Sequence, residues 1–234
     1  MMMRVDLSVP RPFAFDVFSL TLKRVFLILV VAGAVAFFFM AAVKYFSFTE
    51  SSYTRWWVNR WALLTHVIAG SIALFAGPIQ FISVIRDRYL RAHRSIGYLY
   101  FGGVVVGSLT GYYLGFYSVV GPLLGYPLIA LSTAWLLSTV ISVAYILRYR
   151  VNEHRLWMTR SYILTYSFVL FRVLFELPVL REYPPAVRAG TIMWFAWVAP
   201  ILVYEIGRTI WNLRYEYIPK SLGTKDQFAA TSDQ

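Results

Sequence analysis

The sequence predicts an all-α integral membrane protein. It has about six transmembrane helices in one bundle, with two like-oriented helix hairpins as an internal pseudo-repeat. Three observations predict this. Hydrophobic residues make up 59% of the chain and charged residues 14%, against roughly 45–50% and about 25% in soluble domains. The apolar excess falls into runs of about 20 residues, the length a helix needs to cross a hydrocarbon layer about 30 Å thick. Finally, one pattern occurs twice at the mouth of such a run: RAHRSIGYLY at 91–100 and NEHRLWMTRSY at 152–162.

Residues 1–19 read as a cytoplasmic or interfacial lead-in, with Pro10, Pro12, Phe13, Phe15 and Phe18 around Asp16. The first apolar run is 20–43. Arg4, Arg11, Lys23 and Arg24 and the small residues Ala34-Val35-Ala36 give it some signal-peptide character. The run continues through Phe37-Phe38-Phe39-Met40, so it is read as an uncleaved span. An outer loop follows and ends in Trp56-Trp57, with Trp61 beyond, where indoles suit the headgroup level.

The second run is 60–85 and contains Pro78. The third, 95–117, carries Gly103, Gly107, Gly111 and Gly115, one every four residues. At 3.6 residues per turn these stack on one face and leave a groove that another helix can enter. Ala69, Ala73 and Gly77 of the second run offer a matching face; a homodimer seam is the alternative. The fourth run, 122–147, follows a short connection. The fifth and sixth are 161–180 and 189–211, the latter with Pro200. The transmembrane domain thus covers 20–212, and the polar residues 213–234 read as a mobile cytoplasmic tail.

The formal charge of +11 is explained by topology. With the N-terminus inside, sixteen Lys and Arg fall on inner segments and five on outer ones, with Arg172 inside a span. That asymmetry puts both termini in the cytoplasm and basic side chains against anionic headgroups. Nucleic acid is excluded as a partner; the lipid bilayer is the expected one. The chain has no cysteine, so disulfides, thiolate metal sites and Cys nucleophiles are excluded.

Ionisable groups within a bilayer call for a reason. His66 falls about 10 Å below the outer end of the second span. Arg172 and Glu176 are four apart on the fifth span and can pair near the same level. Together they suggest a polar pocket or a proton-linked site; a register-fixing ion pair is the plainer reading. Gln80, Glu205, Arg208, His93, Arg94, His154 and Arg155 gather near the inner surface. His93 and His154, flanked by Arg94 and Arg155, invite a b-type haem reading. It is not favoured, because both histidines sit at helix mouths and the position matching His66 in the second unit is Pro127. His-Arg pairs that bind lipid phosphates and helix ends lead instead. No HExxH, GxSxG or P-loop pattern occurs, so neither catalytic nor metal-binding residues are assigned.

The blocks HVIAGSIALFAGPIQFI (66–82), RAHRSIGYLYFGG (91–103) and EHRLWMTRSYILT (153–165) resemble the bacterial membrane proteins grouped as domain of unknown function 2306. The resemblance runs from Trp61 to Trp211. It implies a bacterial inner-membrane protein in which His66, Gln80, His93, Arg94, Gly97, His154, Arg155, Met158, Arg160 and Tyr162 are signature positions. It implies no activity. The expected function is non-enzymatic: binding a partner or a lipid-like ligand, as a homodimer or an accessory subunit of a membrane complex. A haem- or quinone-binding redox protein and a small proton-linked transporter are the alternatives.

Overall fold

The computed structural model describes residues 13–216, with side chains from 21 to 213. The expected terminal segments lie outside the described residues, except where helix has replaced them. Helix α1 (Phe13–Phe37) starts inside the expected lead-in. It runs on as a π-helical turn at Phe38–Ala42 and a 3-10 turn at Val43–Ser47. The outer loop is largely helical: α2 (Glu50–Tyr53) and a 3-10 turn at Thr54–Asn59 lead into α3 (Arg60–Gln80). A short α4 (Ser83–Arg88) precedes α5 (Leu90–Phe116) and α6 (Pro122–Leu147). Then come α7 (Val151–Thr165), α8 (Ser167–Phe175) and α9 (Pro185–Glu216). No strand occurs among the described residues.

Among the described residues, five stretches are long and apolar enough to cross a membrane: Thr21–Ser47, Glu50–Gln80, Leu90–Phe116, Pro122–Leu147 and Pro185–Leu213. The crossing expected at 161–180 is instead divided between α7 and α8 at Tyr166. Polar residues explain the break. The Thr165 hydroxyl donates to the Ser161 carbonyl at 2.9 Å, and the Ser167 hydroxyl to that of Ile163 at 3.4 Å. Such bonds back to the preceding turn bend a helix. The bundle's outer surface is apolar: Leu109, Phe195 and Val203 are 59%, 58% and 70% exposed, a surface for acyl chains rather than water.

The pseudo-repeat is α3–α5 and α6–α7. The second helix of each hairpin starts alike: His93 N–H bonds to Tyr89 O and His154 N–H to Arg150 O, each at 3.0 Å. Gly121, with φ +94°, lets the chain turn from one hairpin to the next. All four glycines of the ladder are buried, and they face both neighbouring helices. A Cβ on Gly103 would stand 2.8 Å from the Ala69 carbonyl of α3, and one on Gly107 2.8 Å from the Trp135 ring of α6. Ser132 and Ile129 of α6 cover Gly111 and Gly115. Gly77, the third member of the small face on α3, lies under the Tyr162 ring of α7 instead.

That last contact repairs a backbone defect. Pro78 has no N–H to offer the carbonyl four residues back, that of Leu74. The Tyr162 hydroxyl donates to the Leu74 carbonyl at 3.2 Å. A side chain at 77 would block the ring that delivers it. The Tyr166 hydroxyl likewise donates to Val30 O at 3.2 Å, over Gly33. The break between α7 and α8 thereby ties α1 to the bundle.

Candidate functional site

A cavity of about 350 Å³ lies among α3, α5, α6, the end of α7, α8 and α9, walled on one side by the end of α1 and the segment after it. It sits at the end of the bundle where the chain turns at 117–121 and 176–184. Its lining is mainly aliphatic and aromatic, with polar groups at its base and mouth. At the base, His66 Nδ1 lies 2.9 Å from the Gly107 carbonyl and 3.3 Å from Thr110 Oγ1. A carbonyl only accepts, so Nδ1 carries the proton and Nε2 is left an acceptor. Nothing among the described residues bonds Nε2. The Phe168 ring stands edge-on, 5.7 Å from the imidazole.

At the mouth stand Lys44 and Arg172. Arg172 pairs with Glu176 at 3.0 Å, and Arg181 approaches the same carboxylate at 3.7 Å. Lys44 is exposed and leans over the Tyr45 ring at 5.0 Å; it meets no carboxylate among the described residues. One carboxylate therefore serves two arginines while Lys44 stays free, and the mouth keeps a positive excess. His66 and Arg172 share the cavity, and Glu176 reaches it through Arg172. From sequence, Lys44 is only one of the five outer charges. Its place at the end of the first span was the available signal.

The polar groups expected near the inner surface lie apart from His66. Gln80 lies at the opposite end of α3, and its Oε1 faces Gly97. Glu205 on α9 takes a bidentate bond from Arg160 at 2.6 and 3.2 Å, with Arg208 at 3.3 Å. Arg160 also lies over the Trp157 ring at 4.5 Å. These groups tie α7 to α9 at the basic end, a helix length from His66.

Sequence reading missed a second polar feature, the buried hydroxyls between α5, α6 and α7. The Tyr100 hydroxyl is 2.7 Å from Ser161 Oγ and 2.8 Å from Thr165 Oγ1. The Trp135 indole donates to Thr165 Oγ1 at 2.8 Å, and Thr139 Oγ1 is 2.6 Å from Ser161 Oγ. Ser142 Oγ is 2.8 Å from His154 Nδ1, which also donates to the Ser142 carbonyl at 3.0 Å. The spacing 135, 139, 142 on α6 was the available signal.

At the basic end, His93 and His154 occupy matching helix positions but differ in bonding. His93 Nδ1 is buried without a partner among the described residues, as is Gln80 Nε2. His154 is held by Ser142, and burial keeps its imidazole below its ordinary pKa; the Ser142 carbonyl opposes this and Arg155 adds to it. Arg86 bonds Asp87 at 2.7 Å and holds that carboxyl below its usual range. Arg94 and Arg155 are exposed. None of the four residues expected at a cofactor, His93, His154, Arg94 and Arg155, lines the cavity. No cluster of three His, Cys, Asp or Glu able to hold a metal occurs among the described residues.

No curated protein and no solved structure matches the chain. A family described as "Predicted membrane protein (DUF2306)" matches over residues 63–207, from α3 into α9 and through both hairpins. The chain therefore belongs to the DUF2306 family of predicted membrane proteins.

Proposed function

We propose that this protein binds an amphipathic, anionic ligand from the bilayer. The ligand's apolar part would fill the cavity and its head would meet Lys44 and Arg172. The observation that carries this is the combination of an apolar chamber with a cationic mouth. Ligand pockets span roughly 300–1,000 Å³, so a cavity of about 350 Å³ suits one acyl chain or a small ring rather than a whole two-chain lipid. His66 Nε2 is positioned to accept a hydrogen bond from a hydroxyl carried deep on the ligand. The charge asymmetry of the sequence supports a cytoplasmic basic end and cytoplasmic termini. In that orientation the cavity belongs to the outer leaflet of a bacterial inner membrane. Binding, with no catalytic step, is the activity this arrangement supports.

The test is mass spectrometry of lipids that co-purify in a mild detergent. Anionic amphiphiles should be enriched with the natural sequence. They should be lost with Leu128→Trp, which fills the cavity, and depleted with Lys44→Ala. An unchanged lipid profile in a folded Leu128→Trp protein would refute the reading.

A further inference from the structure

The buried hydroxyls form a stripe that leads from the cavity toward the basic end. Ser132, Trp135, Thr139 and Ser142 are spaced by three or four residues and share one face of α6. Ser132, Trp135 and Thr165 line the cavity. From Thr165 the direct bonds run to Tyr100, then Ser161, then Thr139, at 2.8, 2.7 and 2.6 Å. One helical turn farther, Ser142 meets His154 at 2.8 Å. Tyr100, Thr139, Ser142 and Ser161 are each no more than 1% exposed. Around His154 stand Arg155 on its own helix and His93 on α5, with Arg86 and Asp87 of α4 beside His93.

Helix packing alone accounts for fixed hydrogen bonds, but these hydroxyls have choices. Either partner can be the donor between Tyr100 and Ser161, Tyr100 and Thr165, and Thr139 and Ser161. Thr165 and Thr139 also have carbonyls within reach as resting acceptors, those of Ser161 at 2.9 Å and Trp135 at 2.8 Å. Each of these hydroxyls can both accept and donate, which stepwise proton transfer requires.

We infer that this stripe carries protons between the basic end and the cavity. A proton arriving on His154 Nε2 releases the Nδ1 proton to Ser142 Oγ. The step from Ser142 to Thr139 covers about 4.5 Å along the helix axis and takes one water molecule. Each of Thr139, Ser161, Tyr100 and Thr165 then accepts one proton and passes one on. The last goes to water in the ligand-free cavity, whose mouth is open at Arg172, 42% exposed. One proton moves, every hydroxyl keeps one proton, His154 ends as its Nε2–H tautomer and resets by tautomer exchange, and nothing is oxidised or reduced.

The experiment uses the full chain in vesicles of zwitterionic lipid loaded with a pH-sensitive dye, under an imposed pH gradient with potassium and valinomycin holding the potential at zero. Proton entry should exceed that of protein-free vesicles. It should fall to that background in Thr139→Val and in Tyr100→Phe, which keeps the ring and loses two bonds, and persist in Thr139→Ser. Entry no faster than in protein-free vesicles overturns the inference, as does unchanged entry in a folded Thr139→Val or Tyr100→Phe protein. If Thr139→Val fails to fold, Tyr100→Phe decides alone. Lipid co-purification reads the cavity separately, so a failed proton assay with retained lipid condemns the stripe and leaves the binding proposal standing.

Discussion

The two hairpins share a plan and are held together by different forces. In α3–α5, backbone meets backbone: Gly103 sits against the Ala69 carbonyl and Ala73 nitrogen. In α6–α7, side chains bond across the seam, Trp135 to Thr165, Thr139 to Ser161 and Ser142 to His154. Lipid tails are as apolar as a leucine face, so neither hairpin gains from burying apolar surface. The first gains from dense contact and needs side chains to be missing. The second gains from hydrogen bonds and needs hydroxyls in register. The difference teaches that one topology can be closed by either means.

The largest effect should come from breaking the backbone seam. In Gly103→Leu, the new Cβ would lie 2.8 Å from Ala69 O and 3.2 Å from Ala73 N. Both are backbone atoms and cannot turn aside, so the helices must separate. Overpacking of this kind costs about 1–3 kcal/mol, and more where the backbone is involved. The variant should unfold well below the natural sequence in a detergent melt, or yield no monodisperse protein. Gly102→Leu is the control, since nothing lies within 4 Å of its Cβ. Equal melting of Gly103→Leu and the natural sequence would remove the first half of the comparison.

Next in size is the link between hairpins. Tyr162→Phe deprives the Leu74 carbonyl of its donor while keeping the ring over Gly77. A bond of this type within a membrane contributes about 0.6–2 kcal/mol. Pro78→Ala should offset part of the loss by restoring a backbone N–H to that carbonyl. A double-mutant cycle in the same melt checks it: coupling near zero would mean that Tyr162 does not serve the proline defect. Smaller again is the seam of the second hairpin. Thr139→Ala with Ser161→Ala should show a coupling of about 0.6 kcal/mol, whereas Ala69→Ser and Gly102→Ala, which share no bond, should be additive.

The first hairpin was legible because its signal is compositional. A glycine every fourth residue opposite Ala69 and Ala73 states a groove and its filler without any knowledge of register. Span length was equally direct for five of the six crossings. The cavity was legible only in part: helical rise placed His66 and Arg172 at one level, but Lys44 reaches them through a π-helical turn at Phe38–Ala42 that no periodicity announces. The hydroxyl stripe was illegible for another reason. A serine on a transmembrane helix bonds back to its own carbonyl as readily as across a seam, as Ser138 does to Ala134. Only the rotation of α6 against α7 decides which serines and threonines meet.

The smallest predicted effect separates the two repeated histidines. His93 and His154 hold the same helix position, yet only His154 Nδ1 has a partner, Ser142. His154→Asn should therefore destabilise the protein by about 1 kcal/mol, the net contribution of a typical hydrogen bond, and His93→Asn by less. The pH dependence is a sharper test. Burial holds His154 below its ordinary pKa, while in the unfolded chain the group takes its proton near pH 6.5. The unfolded state thus binds more protons in the interval between the two values, and stability must fall as the pH drops through it. Above about pH 6.5 the contribution is fully retained. Melting temperatures measured between pH 7.5 and 5.5 should fall for the natural sequence and follow a shallower line in His154→Asn, at constant salt and detergent. If the two lines run parallel, His154 is not the buried, neutral partner of Ser142, and the hydrogen-bonded seam loses its terminal member.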